Sequence, residues 1–116
     1  MAATKTNTTK TNNTADTHTI EQLRETANAD TLGVKIVVVD NGFVYVGNVH
    51  REAGFFIITN CFNVRRFGTT GGIGQLAMEG PTSETALDRT APVLIPDNKL
   101  CHLMAVSETR WASTIG

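Results

Sequence analysis

Val34-Lys35-Ile36-Val37-Val38-Val39-Asp40-Asn41-Gly42-Phe43-Val44-Tyr45-Val46-Gly47-Asn48-Val49-His50 is an apolar run broken once, at Asp40-Asn41-Gly42. Val34 to Val39 is nearly continuous aliphatic sequence and predicts a strand. Asn-Gly between two such runs is a strong hairpin signal, because both turn residues are expected at positive φ. Phe43 to His50 then returns, with Phe43, Tyr45 and Gly47 on one side and Val44, Val46 and Asn48 on the other. Gly47 inside a strand predicts a bend or bulge. Arg51-Glu52-Ala53-Gly54 reads as a second turn. Phe55 to Thr59 reads as a third strand that can continue through Val64. Three consecutive strands joined by tight turns make a meander.

Upstream, residues 1–18 read as a disordered polar arm: before Ile20 the only large aliphatic side chain is Met1, too little apolar surface to offset ordering entropy. A single helix is expected from His18 to Asp30, with Thr19 as N-cap, Gln22 completing a capping box, and Ile20, Leu23 and Ala27 on one face. Downstream, Gly68, Gly71, Gly72, Gly74 and Gly80 crowd into a long connection. There Gly74 to Glu79 is expected to form a helical turn that Pro81 stops. Thr82-Ser83-Glu84-Thr85 and Asp88-Arg89-Thr90 read as loops. Val93-Leu94-Ile95 and Leu100 to Val106 are expected as two further strands around a turn at Pro96-Asp97-Asn98. Trp111 falls beyond the strands, and residues 112–116 are expected to be a flexible tail. Residues 19–111 thus predict a single, mainly β domain: five strands, one N-terminal helix, and a long glycine-rich insertion between strands 3 and 4. That order suits a small bent-strand barrel, whose closure removes exposed edges.

The chain has 116 residues and a formal net charge of −1. A near-neutral balance disfavours non-specific duplex binding, which rests on neutralising many phosphates. Its two cysteines, Cys61 and Cys101, form no C-x-x-C or zinc spacing and read as free, buried thiols. The N-terminus shows no apolar leader segment, and no apolar run reaches the length of a membrane span. A cytoplasmic location follows as the expectation.

At the level of topology the chain resembles the Sm-like barrels of RNA chaperones and spliceosomal rings. The segments Val44-Tyr45-Val46-Gly47-Asn48-Val49, Gly54-Phe55-Phe56-Ile57-Ile58-Thr59-Asn60 and Leu100-Cys101-His102-Leu103 carry that likeness, over about residues 20–106. It implies association into a homo-oligomer through the last strands, and RNA as a possible partner. Asn60-x-x-Asn63-x-Arg65-Arg66-Phe67-Gly68-Thr69-Thr70-x-Gly72-x-Gly74-x-Leu76-Ala77-x-x-Gly80-Pro81-Thr82 looks like a segment of small uncharacterised bacteriophage proteins. That second likeness implies a phage origin and the host cytoplasm. Phage proteins of this size with oligomeric β-cores include sponges that sequester nucleotide second messengers of bacterial immunity.

The residues themselves point to an anion site. Arg65 and Arg66 enter a loop of small hydroxyl and glycine residues that opens an apolar helical turn. Successive N–H groups over Thr69 to Gly74 suit a nest for an anion at a helix N-terminus, and a guanidinium binds phosphate bidentately. Adjacent strand residues face opposite ways, so at most one arginine serves a given site; the alternative to phosphate binding is an ordinary ion pair with Asp40, Glu79 or Asp88. Phe62, Phe67 and Tyr45 are core residues or a stacking face for a base. Asn60 and Asn63 have the chemistry to read a base edge or to serve turns. Gly72-x-Gly74-x-x-Ala77 fits a dinucleotide fingerprint in letters only, since the helix is short and Pro92 stands where an acidic residue is needed.

The expected ligand-binding set is therefore Asn60, Asn63, Arg65, Arg66, Gly68, Thr69, Thr70, Gly71, Gly72 and Gly74, with no catalytic residues, no metal and no cofactor. The expected function is a non-enzymatic phage-type protein that sequesters a small phosphate-bearing ligand such as a nucleotide second messenger. An Sm-like RNA binder and a structural or partner-binding phage protein are the alternatives.

Overall fold

In the computed structural model, residue 20 and residues 30–115 are described. The strands are β1 (Thr31–Val39), β2 (Val44–Glu52), β3 (Phe55–Arg66), β4 (Ala86–Arg89), β5 (Val93–Pro96) and β6 (Leu100–Ala105). The helices are α1 (Gly72–Glu79) and α2 (Glu108–Ile115), and one 3-10 turn, Asp97–Lys99, joins β5 to β6. All pairings are antiparallel, in a six-stranded sheet of order β4-β3-β2-β1-β6, with β5 also on β3. Among the described residues no ladder joins β6 to β4 or β5, so the sheet is open. The helix expected over 18–30 lies outside the described residues apart from residues 20 and 30.

Three expectations need correction. The strand count is six, because Ala86–Arg89, read as a loop around Asp88, pairs with Phe62–Arg66 of β3. Its four residues offer one large aliphatic, so only a non-local partner makes them a strand. Residues 112–115, expected in a flexible tail, belong to α2, and Trp111 and Ile115, one helical turn apart, bury against the sheet. The Asn-Gly hairpin is a three-residue loop, with Gly42 alone at positive φ (91°). Gly42 N donates to Val39 O at 2.9 Å and Phe43 N to the Asn41 side chain at 2.9 Å, the pattern of a type I turn closed by a glycine bulge. The turn with two positive-φ residues is the next one, Ala53 (52°) and Gly54 (84°) between the paired Glu52 and Phe55.

Both faces of the sheet are covered, which is why β1 reads as continuous aliphatic sequence. On one face Ile36, Val44, Val46 and Val64 pack under Leu76 and Ala77 of α1 and Trp111 and Ile115 of α2. On the other, Leu32, Val37, Val39, Val49, Phe56, Ile58, Cys61 and Ile95 pack together as the strands curl. The two helices are tied to each other by main-chain acceptors. Trp111 Nε1 donates to Leu76 O at 3.2 Å, and Ser107 N to Ala77 O at 2.9 Å. Ser107 Oγ then accepts from Arg110 N at 3.3 Å, capping α2.

β3 serves both cores because it bends at Asn60. The β2–β3 register slips between Val46 and Asn48, so β3 carries one extra residue there. Asn60 takes φ 47°, a conformation that asparagine tolerates better than most residues. The extra residue flips the alternation: Phe56, Ile58 and Cys61 face one core, while Phe62 and Val64 face the other. Gly47 lies beneath the bend. A Cβ there would sit 2.7 Å from Thr59 O and 2.8 Å from Ile58 Cγ2. The glycine thus supports a bulge, as the sequence predicts, by letting two backbones touch.

Gly47→Ala is expected to cost about 1–3 kcal/mol of folding stability, the usual range for forcing atoms into a packed site. Gly74→Ala, in α1 with open space around it, is expected to add up to about 1 kcal/mol. Urea unfolding curves of the two variants beside wild type check both signs.

Candidate functional site

The expected site residues all lie on β3 and the connection that follows it. At the bend, Asn60 is exposed and set apart from the glycine loop. Asn63 lies along β3 between Tyr45 of β2 and Asp88 of β4, its register partners on either side. Its Nδ2 donates to Val44 O at 3.2 Å, which fixes the amide.

The two arginines part company. Arg65 Nε donates to Asp88 Oδ2 at 2.8 Å, and its terminal nitrogen to Oδ1 at 3.2 Å. These bonds hold the Asp88 carboxyl below its usual range. The pair is solvent-exposed, so its weight for stability is small. Arg66 is also exposed, and its side chain has no hydrogen bond or ion pair among the described residues. Of the three carboxylates expected to take one arginine, Asp88 takes Arg65. Asp40 instead meets Lys99, at 3.6 Å.

The loop after Phe67 is ordered by its own side chains. Gly68 takes φ 69°, and a Cβ there would lie 2.3 Å from the main chain at Glu84 and Thr85. Only glycine lets the two segments cross. Threonines bind the crossing: Thr82 Oγ1 donates to Gly68 O and Thr85 Oγ1 to Phe67 O, both at 2.7 Å. Thr69 Oγ1 donates to Gly72 O at 2.6 Å, and Thr70 Oγ1 to Gln75 Oε1 at 3.1 Å. The Gly71 N–H donates to the same Gln75 oxygen. Gly72 starts α1 at φ 73° and Gly74 lies within the helix. Of the N–H groups expected to face an anion, that of Gly71 is taken by the Gln75 side chain and that of Gly72 by Thr69 O, at 3.5 Å.

Aromatic residues divide by face. Phe62 and Phe67 pack against the helix-covered core, and Tyr45 against the other. Phe43, which sequence reading did not single out, is 54% exposed, with its ring centroid 6.3 Å from that of Tyr45. The sequence also gives no sign that Asp88 completes this row, since that requires the β3–β4 register.

The thiols differ. Cys61 is buried as expected, and burial raises its thiol above the usual range; such a thiol is a poor nucleophile. Cys101 is exposed on β6, against the expectation of burial; among the described residues β6 pairs only with β1. Among the described residues no cluster of three His, Cys, Asp or Glu side chains could hold a metal ion. Among them, too, no helix is long and apolar enough to cross a membrane.

One buried group lies outside every expectation. Lys35, in the middle of β1 and paired with Gly47 and Ala105, is 3% exposed. Among the described residues its ammonium reaches Val34 O, at 3.4 Å. Burial lowers its pKa, and the charge of Glu108 offsets part of that shift.

No protein-family model matches the chain, and a search of curated proteins returns no significant relative.

The lowered Lys35 pKa has a signed consequence. Where the unfolded lysine still holds its proton and the folded one does not, the unfolded state binds more protons, so stability rises with pH up to the unfolded value near 10.5. The raised Cys61 and Tyr45 act in the opposite sense in the alkaline range. The difference between wild type and Lys35→Met isolates the lysine. At neutral pH, Lys35→Met is expected to match or exceed wild-type stability, and its advantage should shrink as pH rises towards 10.5. Thermal melts from pH 7 to pH 10.5 measure this.

Proposed function

We propose that this protein is a non-enzymatic binder of a small phosphate-bearing ligand, nucleotide-like in kind, held where β3 runs into the loop before α1. The observation that carries this reading is Arg66: an exposed guanidinium with no side-chain partner among the described residues, six residues before the start of α1 in the chain. A guanidinium so placed is free to donate two parallel hydrogen bonds to phosphate. Arg65 is spoken for by Asp88. Gln75 supports the same reading, since its carbonyl oxygen accepts from Gly71 N and Thr70 Oγ1 as a ligand oxygen would.

The finer architecture belongs to the same proposal. The order of three meander strands, a long connection, a short strand, a 3-10 turn and a last strand on β1 supports an Sm-like barrel topology. Self-association through β6 is supported by its one-sided pairing and by Leu100–Val106, which holds neither a formally charged residue nor proline to protect an edge. Sequestration of a nucleotide messenger is the role that this combination suits.

Arg66→Ala is expected to weaken binding of a nucleotide by at least about tenfold, the scale of losing one charge-assisted contact, with unchanged unfolding. Arg65→Ala should weaken it by less. Calorimetric titration of both variants with a panel of mono- and dinucleotides is the test; equal affinity in wild type and Arg66→Ala rejects the site.

A further inference from the structure

We infer that the row Tyr45, Asn63 and Asp88, with Phe43 and Arg65 beside it, is a platform for a planar heterocycle such as a purine base. This rests on the ligand reading above only in joining the heterocycle to a phosphate.

The register sets Tyr45 beside Asn63 and Asn63 beside Asp88, and directly opposed residues on antiparallel strands share a face. Phe43 lies two positions before Tyr45 on the same side, its ring tilted 52° to that of Tyr45. Half of Phe43 is in solvent, so it contributes little to the core behind it. An exposed ring stands beside a half-buried one, with centroids 6.3 Å apart, and either ring can stack with a base.

The polar members suit the same occupant. Asn63 uses one amide hydrogen on Val44 O. That bond fixes the side chain and leaves its carbonyl oxygen and second amide hydrogen for a base edge. Arg65 is held at two points by Asp88. A guanidinium so neutralised is weak as a phosphate ligand but remains a rigid flat cation, suited to stacking. The row Tyr45, Asn63 and Asp88 is half-buried, so each side chain keeps part of its surface in solvent.

The experiment uses 15N-resolved NMR titration of the full chain with adenosine, guanosine, their 5′-monophosphates and pyrophosphate. The variants are Phe43→Ser, Asn63→Ala and Arg66→Ala, each checked for unchanged melting. Expected are shifts at Tyr45 and Asn63 with at least one purine nucleoside, persisting in Arg66→Ala, and about tenfold weaker nucleotide binding in Phe43→Ser or Asn63→Ala. Pyrophosphate binding should not change in those two variants. If pyrophosphate binds as tightly as the nucleotides and the Phe43 and Asn63 variants match wild type, the platform is overturned while the Arg66 site stands. Nucleoside binding with no response to pyrophosphate supports the platform and rejects the anion site. Silence towards all five compounds rejects both.

Discussion

Two backbones touch where β2 passes beneath β3, and the rest of the fold follows from that contact. Gly47 has no room for a side chain against Thr59 O and Ile58. Close approach there lets β3 bend at Asn60 and gain a residue. Without the extra residue, one side of β3 would face the same core throughout its length. With it, the first half of β3 packs with β5 on one core, and the second half pairs with β4 and packs under the helices. One strand thus bridges two hydrophobic clusters, and a chain of this size buries both faces of its sheet.

The same bend arranges the chemistry. Beyond it, Asn63 comes into line with Tyr45 and Asp88, and Phe62 and Val64 turn to the helices. A second register slip, between Val64 and Arg66, ends the strand with one guanidinium folded onto Asp88 and its neighbour without a side-chain partner among the described residues. The loop is then fixed from outside by Thr82 and Thr85. From inside, α1 is anchored through Trp111 and Ser107 of the α2 region. The connection that follows Arg66 is therefore tied down at several points, although it is rich in glycine. Such support is what precise ligand geometry needs.

The meander was legible in the sequence because its signals are local: aliphatic runs, tight turns and a glycine inside a strand. The glycine loop and its helical turn were legible for the same reason. β4 was not, since Ala86–Arg89 becomes a strand only by pairing with β3. Trp111 and Ile115, four residues apart and just after Ser107, did carry a helical signal, but eight residues with one apolar pair are too few to stand out from a tail. Lys35 was hidden by its setting. A lone lysine in an aliphatic strand reads as the solvent side, and only the second core shows that β1 has none. Of the site, Arg65, Arg66 and Asn63 were visible by residue type. Their division of labour was not, because it depends on which side of a bulge each falls.

The most direct test of the central claim is a nuclear Overhauser spectrum of the protein in solution, read at Gly47 and Asn60. The account predicts contacts between the Gly47 α protons and the Ile58 methyl group, a Val46–Phe62 pairing, and a positive-φ signature at Asn60. An unbroken β2–β3 ladder, with Asn60 extended and Gly47 opposite a single residue, would contradict it and with it the placement of both candidate faces.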